Sequence, residues 1–187
     1  MYNIKQLTNI LPIVVNDLII KLVSFEDIDW YIHNCRKPYF EKYLDFKFST
    51  DISYDKLEVS LYNLVKSYKL KKVEYGEARL LLKDCIGYIV GGCTIFEKDK
   101  DTLELAYFIV PEYHRKGIAY IMLKKVLKAL CESEIRFNKI IVTIQSDNIA
   151  SINLITKLGF IITNSFMGKY TTNYVYTIYR RDINSWS

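Results

Sequence analysis

The stretch from Leu103 to Tyr120 constrains this chain more than any other. Leu103 to Val110 is a buried-strand pattern, and Pro111 closes it because proline has no N–H for a β-ladder. A short basic turn with one glycine follows, His114-Arg115-Lys116-Gly117. Then comes an apolar-periodic helix carrying Ile121, Met122, Leu123, Val126, Leu127 and Leu130. A strand, a glycine turn and a helix start are a layout that can bind phosphate, with an ordinary βα turn as the alternative. The first backbone N–H groups of a helix lack partners and the helix dipole favours negative charge there. Gly117 lets the backbone approach a ligand closely, and Arg115 and Lys116 add positive charge beside it.

Flanking segments extend the pattern on both sides. Leu11–Val15 and Leu18–Val23 are β-rich runs about an Asn16-Asp17 turn, and 18–23 is the first core strand. Ser24 with Asp27 three residues on marks a helix start that runs to about Pro38. Tyr39–Ser49 is aromatic and charged, fitting either a packed loop or the wall of a substrate groove. Ser53–Tyr75 has helical spacing of Leu57, Leu61, Leu64, Val65 and Tyr68, with lysines 66, 69, 71 and 72 near its end. Ala78–Leu82 and Ile86–Phe96 are strands; Gly87, Gly91 and Gly92 in the second predict a bulge or a close neighbouring backbone. Beyond the central stretch lie a strand over 139–145, a helix over about 150–158 closed by Gly159, and a hairpin over 160–167 and 173–180.

Two segments carry a family resemblance. His114-Arg115-Lys116-Gly117-Ile118-Ala119 resembles the Gln/Arg-x-x-Gly-x-Gly/Ala acyl-CoA motif of the GNAT acetyltransferase superfamily, with His114 as the departure. Asn148-Ile149-Ala150-Ser151 followed by Lys157-Leu158-Gly159-Phe160 is similar to a second segment of that family, in the form found in its RimJ/RimL branch. The resemblance implies an α/β (α+β) GNAT fold: one mixed, mostly antiparallel sheet flanked by helices, in the order β-αα-βββ-α-β-α-ββ. It implies acetyl-CoA as cosubstrate and a primary amine as acceptor, either a protein N-terminus or a small molecule. Backbone groups of Phe108, Ile109 and Val110 would pair with the pantetheine arm. Arg115, Lys116, Gly117, Ile118, Ala119 and Tyr120 would cradle the pyrophosphate. Asn148 and Ser151 would face the cofactor, although both residue types also cap helices. A strand N–H near Val110 would meet charge developing on the carbonyl oxygen.

Acetyl transfer also needs a base for the ammonium and a donor for the departing sulfur. Glu104 is the candidate base, with an outward-facing strand charge as the alternative. Ser151 and Tyr107 are the candidate acids, because Ile155 stands where many relatives carry tyrosine. Thr143 stands where some carry glutamate. Loss of those groups leaves a catalytically inactive acyl-CoA-binding module as the alternative function.

Composition narrows the rest. A chain of 187 residues predicts one domain over 1–187. A net charge of +5 is too small to argue nucleic-acid binding. His33 and His114 are far apart and no metal motif accompanies them, so no metal is expected. Cys35, Cys85, Cys93 and Cys131 show no paired spacing, as in a reducing compartment. No signal-like h-region or membrane-length apolar run is present, so a cytoplasmic protein without a membrane partner is expected. The last hairpin is a possible surface for oligomer formation.

Overall fold

The computed structural model describes residues 3–35, 37, 40, 54–70, 76–168 and 171–186. Its strands are β1 (Ile13–Val15), β2 (Leu18–Leu22), β3 (Glu77–Lys83), β4 (Ile89–Glu97), β5 (Thr102–Ile109), β6 (Lys139–Gln145), β7 (Ile161–Met167) and β8 (Thr172–Tyr179). Its helices are α1 (Ile28–Cys35), α2 (Tyr54–Lys69), α3 (Ile118–Glu132), α4 (Ile149–Lys157) and α5 (Arg180–Asn184). All eight strands form one sheet in the order β1-β2-β3-β4-β5-β6-β8-β7. The expected α/β fold is found, with two additions. The run ending at Val15 becomes a short edge strand, β1, hairpinned to β2 through Asn16 at φ 53°. The chain also ends in a helical turn, α5, that periodicity did not flag. Of the aromatic stretch 39–49 only Phe40 lies within the described residues, as does only the 54–70 part of the helix expected over 53–75.

Both faces of β3 and β4 are covered, which is why these strands read as continuous apolar runs. On β3, Leu80 and Leu82 join a core with Met122, Leu123, Val126, Leu127 and Leu130 of α3 and Ile155 of α4. Leu81, pointing the other way, joins a second core with Tyr31 of α1 and Leu57, Leu61, Leu64 and Val65 of α2. The expected helix start is real but begins as a 3-10 turn, Phe25–Asp27. The Asp27 carboxylate accepts from both the N–H and the hydroxyl of Ser24, and it pairs with Lys83 of β3. That contact ties the α1 entrance to the sheet.

The close backbone approach expected at the glycines occurs at Gly91 and Gly92 on β4. A Cβ on Gly92 would meet the Leu80 carbonyl oxygen at 2.5 Å and the Phe108 ring at 3.0 Å. The bulge falls on the neighbouring pairing, between Leu82 and Lys83.

One strand pair positions the site. All neighbours are antiparallel except β5 and β6, which run parallel and pair only over Thr102–Glu104 with Lys139–Ile141. Beyond Glu104 the two strands part. Backbone groups on their facing edges then have no ladder partner, and a gap opens in the middle of the sheet.

Candidate active site

The turn after β5 is shaped by its backbone. Arg115 adopts φ 58° and Gly117 φ 75°. Two left-handed residues within three positions turn successive N–H groups toward one concave side, a nest that suits an anion. Nothing lies within 4 Å of where a Gly117 Cβ would sit. The turn is exposed, and the first N–H groups of α3 follow it directly. His114 does not point away. Its Nε2 lies 2.7 Å from the carbonyl oxygen of Ile109, tying the turn back to the end of β5. Lys116 turns its ammonium over the Tyr113 ring at 5.0 Å. Lys157 of α4 similarly covers Tyr120 at 4.9 Å.

The register corrects which strand groups face the gap. The Val110 N–H donates to the Val90 oxygen at 3.0 Å, and Phe108 stands opposite Gly92. In an antiparallel ladder alternate residues spend their backbone groups on one neighbour. Val110 and Phe108 are therefore committed to β4. Tyr107 and Ile109 turn their N–H and C=O toward the gap, and His114 occupies the Ile109 carbonyl. The donor expected near Val110 moves to Tyr107. Val110 itself is buried, 6% exposed.

The three candidate acid–base residues divide between the two faces of the sheet. Tyr107 lies on the α3–α4 face, its hydroxyl 3.5 Å from the Ser151 carbonyl oxygen. Burial pushes the Tyr107 phenol up to about 12, with hydrogen bonding at Ser151 opposing it. Asn148 acts as the N-cap of α4, its Oδ1 accepting from the Ser151 N–H at 3.2 Å. The capping role weighed for Asn148 is thus present, and its side-chain amide N–H groups are not used by that cap.

Glu104 is on the opposite face, beside Phe108 and Ala106 by the two-residue period of the strand. It is neither buried nor freely solvated: its side chain is 22% exposed. Oε1 accepts from the Thr143 hydroxyl at 3.0 Å, and Oε2 accepts from Lys98 Nζ at 2.8 Å. The sequence alone did not mark Lys98 or this role of Thr143. The aromatic wall on the Glu104 face is Phe108, with Trp30 stacked on it at 6.2 Å and Phe40 tilted against it at 4.6 Å between ring centroids.

A groove of about 1670 Å³ joins these parts. It runs from His114, Arg115 and Gly117 past Tyr107, Asn148 and Ser151, through the gap between β5 and β6, to Glu104, Lys98 and Thr143. The residues present fit acetyl-CoA: an anion nest at one end, unpaired strand edges along the middle, and a carboxylate beyond the gap. Among the described residues no cluster of His, Cys, Asp or Glu could hold a metal ion. No helix among them is long and apolar enough to cross a membrane.

Residues 17–161 match the family model of the acetyltransferase (GNAT) domain. The chain belongs to the GNAT acetyltransferase family. This N-acetyltransferase takes its acetyl group from acetyl-CoA and places it on an amine. Solved structures share its fold. The spermidine N-acetyltransferase of Vibrio cholerae, in complex with CoA and spermine, superposes with a TM-score of 0.75 at 19% identity, over 90% of this chain and 99% of that one. A GNAT-family acetyltransferase from Bacillus anthracis gives 0.70 at 19% identity, over 91% and 99%. No curated protein matches the sequence.

Proposed function

We propose that this GNAT acetyltransferase acts on a small primary amine, with Glu104 as the general base and Tyr107 as the proton donor to the departing sulfur. The observation that carries the reading is the groove that crosses the sheet, with Tyr107 on one face and Glu104 on the other. Acetyl-CoA supplies an acetyl group already activated as a thioester. Arg115, Gly117 and the first N–H groups of α3 receive its pyrophosphate. Backbone groups of Tyr107 and Ile109 line its path through the gap, and the Asn148 amide and Ser151 flank it. The Tyr107 N–H meets negative charge as it develops on the carbonyl oxygen.

The amine enters from the Glu104 side. A primary amine is protonated at neutral pH and must lose that proton before it can attack. Glu104 and Tyr107 are three residues apart, ~10 Å along the strand, which leaves room for the amine and a water between them. Tyr107 keeps its phenolic proton at neutral pH, as any phenol does, and burial reinforces this, so it is a donor there. Attack is direct. Cys93 is buried, and burial alone pushes its thiol up to about 12, which removes it as a nucleophile.

Polyamines lead the small amines, because the Vibrio cholerae neighbour is a spermidine N-acetyltransferase. A protein α-amine is the second reading, favoured by the RimJ/RimL form of the Asn148–Ser151 and Lys157–Phe160 segments. The test is thiol release from acetyl-CoA against spermidine, an aminoglycoside, free amino acids and peptides with free N-termini. Turnover confined to the small amines supports the first reading; turnover confined to the peptides overturns it in favour of the second. Glu104→Gln, run in parallel, should bind CoA normally and lose at least ~100-fold in kcat. Unchanged kcat would remove Glu104 as the base.

A further inference from the structure

We propose that Thr143 is a positioning residue for acetyl transfer, holding the Glu104 carboxylate aimed into the groove from across the gap between β5 and β6. The proposal rests on Glu104 being the base. Four observations carry it. The last backbone pair of the parallel ladder is Glu104 with Ile141. Thr143 is the next β6 residue on the same face as Ile141, just past the point where the strands separate. Its hydroxyl donates to Glu104 Oε1 at 3.0 Å, so a side-chain bond takes over where the backbone ladder stops. And Thr143 is exposed although β6 lies in the interior of the sheet, because the groove opens above it.

The geometry gives the bond a specific task. A glutamate on a strand can swing about three side-chain torsions, and a base is effective only within a narrow range of positions. Holding Oε1 from β6 removes most of that freedom and leaves Oε2, paired with Lys98 in this structure, as the atom that takes the proton. A carboxylate only accepts, so Thr143 is the donor and a valine there offers nothing in its place. Lys98 holds Oε2, but its side chain is 57% exposed and solvent screens the pair. Thr143 is the directional partner, and Lys98 can yield to an incoming ammonium.

The rival role is a purely structural tie between two separating strands. A double-mutant cycle separates the two. Glutamine at 104 still accepts from the Thr143 hydroxyl, so a structural tie survives Glu104→Gln, whereas positioning of a base does not. The experiment measures kcat and KM for acetyl-CoA in Thr143→Val, Thr143→Ser, Glu104→Gln and Thr143→Val/Glu104→Gln. The amine is the fastest acceptor of the panel above, and each variant is checked for CoA binding and thermal unfolding. Expected results are a kcat loss of ~10-fold in Thr143→Val, an unchanged KM for acetyl-CoA, near-normal kcat in Thr143→Ser, and no further loss from Thr143→Val in the Glu104→Gln background. Full kcat in Thr143→Val beside an inactive Glu104→Gln overturns this proposal alone, as does an equal loss in both backgrounds. Full kcat in Glu104→Gln, or no thiol release with any amine, overturns the base reading and this proposal with it.

Discussion

His114 Nε2 lies 2.7 Å from the carbonyl oxygen of Ile109. A carbonyl only accepts, so the ring nitrogen carries the hydrogen and donates it. The bond anchors the left-handed turn at Arg115 and Gly117 to the last residue of β5. His114→Ala should loosen the nest and raise KM for acetyl-CoA by ~10-fold, the value of one hydrogen bond of about 1 kcal/mol with some added disorder. Because the bond is remote from Glu104, kcat should hold. His114→Gln, which keeps a donor, should recover most of the loss. Steady-state kinetics with acetyl-CoA varied read the result directly.

Tyr107→Phe should lower kcat by ~10-fold or more while leaving CoA affinity unchanged. The substitution removes the hydroxyl near Ser151 but keeps the ring in its core and the backbone N–H at the gap. CoA titration of the variant would show the intact site, and single-turnover rates would show the missing proton donor. Equal kcat for Tyr107→Phe and the parent would pass the role to Ser151.

What could be read from the chain alone followed how local each device is. Gly117, the cap at Asn148 and the left-handed Gly159 depend on residues within a few positions, and each is marked by its residue type; the left-handed Arg115 is not. The gap between β5 and β6 arises where two strands distant in the chain stop pairing. Which of Tyr107, Phe108, Ile109 and Val110 faces it depends on the pairing of β5 with β4, which composition does not encode. The Thr143–Glu104 bond joins residues 39 apart and exists only because two strands lie parallel. A 3-10 turn over Asn3–Asn9 and the helix α5 escape the sequence for a related reason. They are too short for a period to emerge, and each buries one apolar side chain, Leu7 at 1% and Ile183 at 2% exposure.

Arg180 should be the most sensitive polar residue for stability outside the groove. Its guanidinium donates to the carbonyls of Ile135 at 2.5 Å, Cys131 at 2.6 Å and Ser133 at 3.1 Å, and it covers the Phe137 ring at 4.6 Å. A cation therefore sits at the C-terminal end of α3, where the helix dipole favours it. Arg180→Ala should cost about 2 kcal/mol in urea unfolding, the scale of charge-assisted hydrogen bonds. Arg180→Lys should recover only part, because a single ammonium cannot span three carbonyls. Catalysis measured below the unfolding transition should be unaffected.

Stability should fall on the alkaline side. Burial pushes the Cys93 thiol from 9.0 up to about 12, and Tyr107 from 10.0 up to about 12. Below pH 9 both groups are protonated whether the chain is folded or not. Between pH 9 and 12 the unfolded chain gives up protons that the folded chain retains, so folding weakens as pH rises. The slope approaches about 1.4 kcal/mol per pH unit for each group. Cys93→Ala should flatten the curve from its lower end, measured by denaturant titration across that range. The exposed Cys85 thiol should react with a thiol reagent in the folded protein, and Cys93 only after unfolding.

The parting of β5 and β6 has a kinetic consequence. Because the groove passes through the sheet, it has two mouths, one at the basic turn and one beside Glu104. With the amine entering on the Glu104 side, as proposed above, each reactant has its own entrance and neither must leave before the other arrives. The protein thus acts as a partition with a window, across which a pair of molecules meet while standing on opposite sides. Its turnover should therefore follow ternary-complex kinetics: initial rates with both substrates varied should give intersecting, not parallel, double-reciprocal lines.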